Sequence, residues 1–299
     1  MSVKQLINRG NGMKIGLIGL GVMGYRVAVN LRNSNMLDYI YNKTESKALD
    51  FSKKYNVAYF KNPEELAKNS DFIITVLSDD NAISGIVKKI LPYLKNKILV
   101  DLSTISPAIS ISLSEQVSSY GGIMFDAPMM GTSIDVEQKR VTIIVGGPKD
   151  KFDIVREVLS NTSNKIIYAG KNGTGLYIKL AGNMMFASFM NGLAESISFA
   201  EKAGISKEQI TDLFLNISST RSPASNLKLP KMLNSDFDIQ FALKHMRKDT
   251  EIMVREAQNL KIPLPLTSLV SNLFRIAEGL GLGELDVSSI IELYRKTRE

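Results

Sequence analysis

The sequence contains no cysteine and one histidine, His245. Without cysteine there is no disulfide, no thiolate nucleophile and no cysteine-ligated metal. A single histidine leaves no basis for a histidine-based metal centre or a Ser-His-Asp triad. No apolar run is long enough to span a bilayer, and the N-terminal residues do not read as a secretory signal. A cytoplasmic chain with no membrane and no metal partner is therefore expected. Long low-complexity tracts are missing as well. With 44% hydrophobic and 22% charged residues over 299 positions, two domains with their own cores are expected rather than disorder.

Negative charge is in the minority: 37 Lys and Arg stand against 30 Asp and Glu, a formal net charge of +7. The lysines are scattered along the chain rather than gathered in a block. Scattered lysines read as solvated helix faces and argue against a nucleic-acid partner. A mildly basic surface also suits anionic small molecules.

Residues 1–12, "MSVKQLINRGNG", show no period and precede a second methionine, Met13. They read as a loose extension or a start-site artefact. From there, "KIGLIG", "LDYIYN", "DFIITVLS", "KILVDLS", "GIMFDAPM" and "RVTIIVGG" read as short apolar strands, separated by helical segments such as "TESKALDFSKKY" and "NPEELAKN". Buried strands alternating with helices predict a parallel, doubly wound sheet. Beyond about residue 170 the strand signals stop. "GLYIKLAGNMMFASFMNGLAESISFAEKAG" runs without proline at helical period toward a stop at Gly204, and four more helical segments follow, from "SKEQITDLFLNI" to "DVSSIIELYRKTR". The expected architecture is an α/β Rossmann-type domain over 13–170 and an all-α substrate and oligomerisation domain over 171–299.

"GLGVMG" places Gly19, Gly21 and Gly24 in G-x-G-x-x-G spacing between a strand and a helix. The first glycine permits the tight turn, the second lets backbone approach a pyrophosphate, and the third allows close helix–strand packing. The helix N-terminus adds N–H donors and a positive dipole end. Gly19, Leu20, Gly21, Val22, Met23 and Gly24 are thus expected to cradle a dinucleotide. The second strand ends in Asn42, Lys43 and Thr44, where NAD-binding proteins place a carboxylate on the ribose 2′-hydroxyl. An amide, a cation and a hydroxyl suit a 2′-phosphate, so NADP is favoured over NAD.

Together with this turn, three further segments resemble the β-hydroxyacid dehydrogenase family. These are "VDLSTISP", "GTGLYIKLAGN", which fits G-x-G-x-x-x-K-x-x-x-N, and the looser "FALKHMRKD", with Phe241, Lys248 and Asp249 in place. The tail "IPLPLT" adds to the likeness, and the matches run in order from residue 14 to about 267. The family includes 3-hydroxyisobutyrate dehydrogenases, glyoxylate/succinic semialdehyde reductases and the larger 6-phosphogluconate dehydrogenases. The resemblance implies a 6-phosphogluconate dehydrogenase-like fold and a homodimer or homotetramer paired through the helical domain. It also implies Lys179 as catalytic general acid/base, Asn183 as its substrate-binding neighbour and Thr104 beside nicotinamide and substrate. Lys248 would contact the cofactor, as would Leu77 and Ser78 at the end of the "FIITVLS" strand. Gly131, with Met130 and Thr132, would form the substrate loop.

That loop departs from its relatives. They usually read Ala-Pro-Val-Ser-Gly-Gly; this chain reads "APMMGTS", with Met130 at the serine position and Thr132 at the second glycine. Thr132 or Ser133 takes over the missing hydroxyl, or the pocket is less polar, or Met129 and Met130 simply fill core space.

A lysine suits the implied chemistry. The cofactor carries the hydride, while the substrate oxygen must gain or lose a proton. A lysine does both if burial and nearby positive charge bring its pKa down from about 10.4 toward neutrality. Asn183, at i+4, projects from the same helix face. Five other residues read first as structural: His245 as a packed or partly exposed histidine, Arg221 as a loop or cap residue, Glu195 as a structural hydrogen-bonding group, and Asp79 with Asp80 as a helix cap. A 3-hydroxyisobutyrate dehydrogenase-like enzyme leads, and an NADPH-dependent glyoxylate/succinic semialdehyde reductase is the alternative. A 6-phosphogluconate dehydrogenase is disfavoured by length and by the missing histidine before Asn183, and an imine reductase by the presence of Lys179. A non-catalytic nucleotide- or nucleic-acid-binding module is disfavoured because Lys179 and Asn183 occur together.

Overall fold

The computed structural model describes residues 12–296, so the extension expected at the start lies, apart from Gly12, outside the described residues. The chain forms two compact units, Met1–Lys179 and Leu180–Glu299.

The first unit alternates strands and helices: β1 (Ile15–Ile18), α1 (Val22–Asn33), β2 (Tyr39–Tyr41), α2 (Glu45–Tyr55), β3 (Ala58–Tyr59), α3 (Pro63–Asn69), β4 (Phe72–Thr75), α4 (Asp80–Ile90), β5 (Ile98–Asp101), α5 (Pro107–Ser119) and β6 (Ile123–Asp126). There follow β7 (Met129–Met130), α6 (Ser133–Glu137), β8 (Thr142–Gly146), α7 (Phe152–Leu159), β9 (Lys165–Gly170) and the start of α8 (Thr174–Lys202). The sheet order is β3-β2-β1-β4-β5-β6-β8-β7, with β9 on β8. From β1 to β6 every pairing is parallel. Side chains alternate across the strands into two cores: Leu17, Ile74, Val100 and Phe125 enter one, Ile18, Ile73, Leu99 and Met124 the other. Apolar burial on both faces is what leaves these strands without a polar period.

The expected parallel sheet needs one correction. β8 runs antiparallel to both β6 and β7, and β9 returns parallel to β8, so the far side of the sheet is mixed. The chain reverses through the five-residue α6, too short a link for a parallel crossover. β9 and the two-residue β3 are only partly buried, with no strand position fully covered on either. Both were absent from the expected strands for that reason.

Within the second unit lie the remainder of α8, α9 (Lys207–Asp212), α10 (Pro223–Asn234), α11 (Leu243–Leu260), α12 (Pro265–Ala277) and α13 (Ile291–Lys296). Met190, Ile197, Leu229, Met246, Phe274 and Ile290 meet in its core. α8 stops as expected at Gly204, whose φ is +79°. Gly204 and Ile205 N–H groups donate back to Glu201 and Ala200 at 3.2 and 3.1 Å, a Schellman closure. α10 was not among the expected helices because Pro230 lies inside it. It is anchored by Lys228, whose buried ammonium meets both Asp286 oxygens at 2.8 and 2.9 Å. Asp286 in turn caps the turn Val287–Ile290 that leads into α13. By contact the two units divide inside α8, at Lys179/Leu180, where the first turns of this helix pack with the sheet: Leu176 belongs to a sheet core.

Candidate active site

In the first unit, the predicted residues fall at the carboxyl ends of the parallel strands, where open α/β sheets bind their ligands. Gly19 sits at φ +106°, and a Cβ on it would lie 2.3 Å from the Val76 carbonyl oxygen. A Cβ on Gly24 would lie 2.0 Å from the Gly19 oxygen. These two glycines are required by the fold. Gly21 is different, since a Cβ there would meet no protein atom within 4 Å. As the N-cap of α1 it offers no capping side chain, and the first turn of α1 holds no acidic residue. Backbone N–H groups, a positive dipole end and open space above Gly21 fit a pyrophosphate.

Asn42 holds this turn in place. Its Oδ1 accepts from the Leu20 N–H at 2.8 Å and its Nδ2 donates to the Thr44 carbonyl at 3.0 Å. The amide expected at the ribose is therefore occupied in shaping the cradle, while Lys43 and Thr44 are exposed at the end of β2. Sequence reasoning identified the position without this role.

A second network joins the ends of β4 and β5. Buried Asp101 accepts from Thr75 Oγ1 at 2.7 Å and Ser103 Oγ at 2.6 Å. Ser103 Oγ in turn accepts from the Leu77 N–H at 2.8 Å. Asp79 caps α4 by accepting from the Ala82 N–H, and Asp80 accepts from the Ser106 N–H at 2.8 Å. The two loops holding Leu77, Ser78 and Thr104 are thereby tied together. The cap expected at Asp79 is present, whereas Asp101 and Ser103 were not singled out from the sequence.

The loop after β6 explains the departure at "APMMGTS". Met129 is buried in the core and Met130 is half-buried. Gly131 has φ +143°, and a Cβ on it would press on Asp135 at 3.2 Å. Thr132 is the N-cap of α6: its hydroxyl donates to Asp135 Oδ2 at 2.7 Å and accepts from the Asp135 N–H at 3.3 Å. Arg140 holds the other Asp135 oxygen at 3.2 Å. These bonds keep the Asp135 carboxyl below the ordinary carboxylate range against its partial burial. The Thr132 hydroxyl is thus engaged in a capping box.

Lys179 is buried in the second turn of α8, in the first unit. Its i+4 neighbour on the same helix, Asn183, is also buried and belongs to the second unit, as does Lys248 on α11. Asn183 Nδ2 donates to Asp249 Oδ2 at 2.7 Å. A carboxylate can only accept here, so the amide is locked with Oδ1 turned away from Asp249. Lys248 Nζ lies 3.4 Å from the other Asp249 oxygen. Asp249 appeared in the sequence only as a motif letter; the structure makes it the residue that orients Asn183.

Burial and the Lys248 ammonium lower the pKa of His245, which lies 6.2 Å from the Phe241 ring, centroid to centroid. Arg221 is exposed and donates to the Asn216 carbonyl at 2.9 Å, the expected loop role. Glu195 is exposed. Among the described residues no group of three or more His, Cys, Asp or Glu could hold a metal, and no helix is long and apolar enough to cross a membrane.

The chain resembles known proteins over nearly its whole length. Residues 14–170 match the family model described as the NAD binding domain of 6-phosphogluconate dehydrogenase. Residues 173–294 match the one described as NAD-binding of NADP-dependent 3-hydroxyisobutyrate dehydrogenase. Glyoxylate/succinic semialdehyde reductase 1 of Arabidopsis thaliana is 28% identical over 96% of this chain and 100% of its own length. The mitochondrial 3-hydroxyisobutyrate dehydrogenase of Drosophila melanogaster is 30% identical over 99% of this chain and 94% of its own. Among solved structures, Mycobacterium tuberculosis 3-hydroxyisobutyrate dehydrogenase with L-serine shares the fold at a TM-score of 0.86 and 24% identity, covering 96% of this chain and 99% of that one.

The two kinds of glycine should separate on substitution. Gly21→Val is expected to melt like the parent yet lose at least ~10-fold in NADPH affinity, about 1.4 kcal/mol, by fluorescence titration. Gly24→Ala is expected to lower the melting temperature itself, by about 1–3 kcal/mol of strain. An unchanged affinity for Gly21→Val would place the dinucleotide elsewhere.

Proposed function

The chain belongs to the β-hydroxyacid dehydrogenase family, and from that premise we propose that it interconverts a small β-hydroxyacid and its semialdehyde, with Lys179 as general acid/base. It is an NAD(P)-dependent oxidoreductase acting on a CH–OH group. The observation that carries the finer reading is Lys179 itself, a buried amine in the second turn of α8, four residues before the amide that Asp249 locks.

The residues act as follows in the reducing direction. Gly19, Gly21 and Gly24 would hold the pyrophosphate of a nicotinamide dinucleotide, which when bound would supply the hydride for the carbonyl carbon. Lys179 gives a proton to the carbonyl oxygen and becomes the neutral amine; in oxidation it takes that proton back. Asn183, held by Asp249, orients the polar end of the substrate. Backbone N–H groups around Gly131 receive the carboxylate, with Met130 beside them in place of a hydroxyl and Thr132 bracing the loop. Thr104 borders the reacting centre. The family resemblance assigns Lys248 to the cofactor.

Exposed Lys43 and Thr44, with no carboxylate at the end of β2, favour NADP over NAD. The same feature supports the alternative, an NADPH-dependent glyoxylate or succinic semialdehyde reductase. A second copy of the chain is the expected partner. Leu266, Leu269, Ile276 and Leu280 are exposed along α12 and the turn after it, at the a/d spacing of a helix-pairing seam. Homodimer and homotetramer both use such a seam.

In a panel of 3-hydroxyisobutyrate, succinic semialdehyde and glyoxylate, Lys179→Ala is expected to lose ~10²–10⁴ in turnover, about 3–5 kcal/mol, with NADPH binding retained. Unchanged turnover would remove Lys179 from the chemistry. Lys43→Ala should weaken NADP binding by ~3–10-fold, roughly 0.7–1.4 kcal/mol, and leave NAD unchanged; equal effects on both would remove the 2′-phosphate contact. Light scattering should show an oligomer that the double substitution Leu266→Glu, Leu269→Glu converts to monomer, and a monomeric parent would contradict the seam.

A further inference from the structure

We propose that Asp126 is the positioning residue for Lys179: from the end of β6 its carboxylate fastens the first turn of α8 and so sets where the Lys179 amine stands. This rests on the reading of Lys179 as general acid/base.

A helix normally takes its N-terminal cap from its own sequence. α8 begins after Gly173, which has no side chain to offer. The cap comes instead from 47 residues away: Asp126 Oδ1 accepts from the Gly173 N–H at 2.7 Å and Oδ2 from the Leu176 N–H at 3.1 Å. The arrangement is built for this carboxylate. A Cβ on Gly146 would come within 2.6 and 2.9 Å of its two oxygens. A Cβ on Gly175 would lie 2.8 Å from Oδ2 and 2.4 Å from the Ile144 carbonyl oxygen. Asn172 adds a further tie, donating to the Met124 carbonyl at 2.7 Å. Glycines on both sides thus let the helix start close onto Asp126, and Lys179 stands three residues past the second amide it holds.

The carboxylate does more than cap. Asp126 is also the first residue of "DAPMMGTS", the loop that carries Gly131 and Thr132. One buried group therefore caps the lysine helix from the strand end at which that loop begins. Burial pushes its carboxyl up to about 6, against the two amide bonds, with Asp101 across the β5–β6 pairing adding to the rise. From α8 and β8 it faces backbone and glycine, so Asp101 is the charged neighbour that bears on it. Protonation leaves one oxygen a donor and withdraws an acceptor from an α8 amide.

Asp126→Asn keeps the shape and removes one acceptor. It is expected to lower kcat ~10–100-fold, the scale of a misplaced catalytic group, while the NADPH Kd stays within about twofold. The wild-type kcat should show an acid limb near pH 6 that this variant lacks. Should the variant fold poorly, amide exchange of the wild-type chain replaces it: Gly173 and Leu176 protection factors should drop below that pH together with kcat. Wild-type kcat and an unchanged pH limb in Asp126→Asn would overturn the inference, as would equal losses of kcat and cofactor affinity, or protection that ignores pH. Lys179→Ala in the same assay separates the two claims. If it is inactive while Asp126→Asn is normal, only the positioning role falls; if it is active, the lysine reading falls and this inference with it.

Discussion

A carboxylate buried at the end of β6 accepts two backbone amides from the start of α8, and the placement of the proposed catalytic lysine follows from that contact. α8 spans the boundary between the two compact units, carrying Lys179 in one and Asn183 in the other. A helix that long transmits the position of its first turn along its axis. Fixing its start on the sheet therefore fixes the lysine relative to the strand ends that hold the glycine turn and the "DLST" loop. Glycines at 146 and 175 are the sterically necessary counterpart, because any side chain there would displace the carboxylate.

The remainder of the first unit's candidate site follows one pattern: short polar side chains brace the loops at the strand ends. Asn42 braces the glycine turn, Asp101 and Ser103 brace the loops after β4 and β5, and Asp135 braces the substrate loop. Each brace is buried or half-buried and hydrogen-bonded, as buried polar groups must be. The departure from family usage fits the same pattern. Threonine at 132 caps α6 and Met130 is half-buried, so the proposed function leaves carboxylate recognition to backbone N–H groups.

Much of this was legible in the residues. "GLGVMG" between strand and helix reports its own geometry, because glycine spacing and dinucleotide approach are local facts. The parallel strands were visible as apolar runs because both faces are covered, and "GTGLYIKLAGN" matched a family pattern letter by letter. What stayed hidden was long-range or one-sided. β9 is a short, half-exposed strand, and α10 is masked by Pro230. The reversal at β8 depends on which strand it pairs with, which no period records. Asp126 capping Gly173, and Asp249 orienting Asn183, join residues far apart in the chain. A carboxylate in such a role looks, in sequence, like any aspartate at a strand end.

The position of Lys179 relative to the reacting atoms is the most direct test of the proposed chemistry. A crystal structure of the chain with NADP and an unreactive short hydroxyacid analogue would measure it. The Lys179 Nζ is expected within hydrogen-bond distance of the analogue's hydroxyl oxygen, beside C4 of the nicotinamide. An analogue bound in contact with that C4 but with its hydroxyl turned to another donor, and Lys179 directed away, would contradict it.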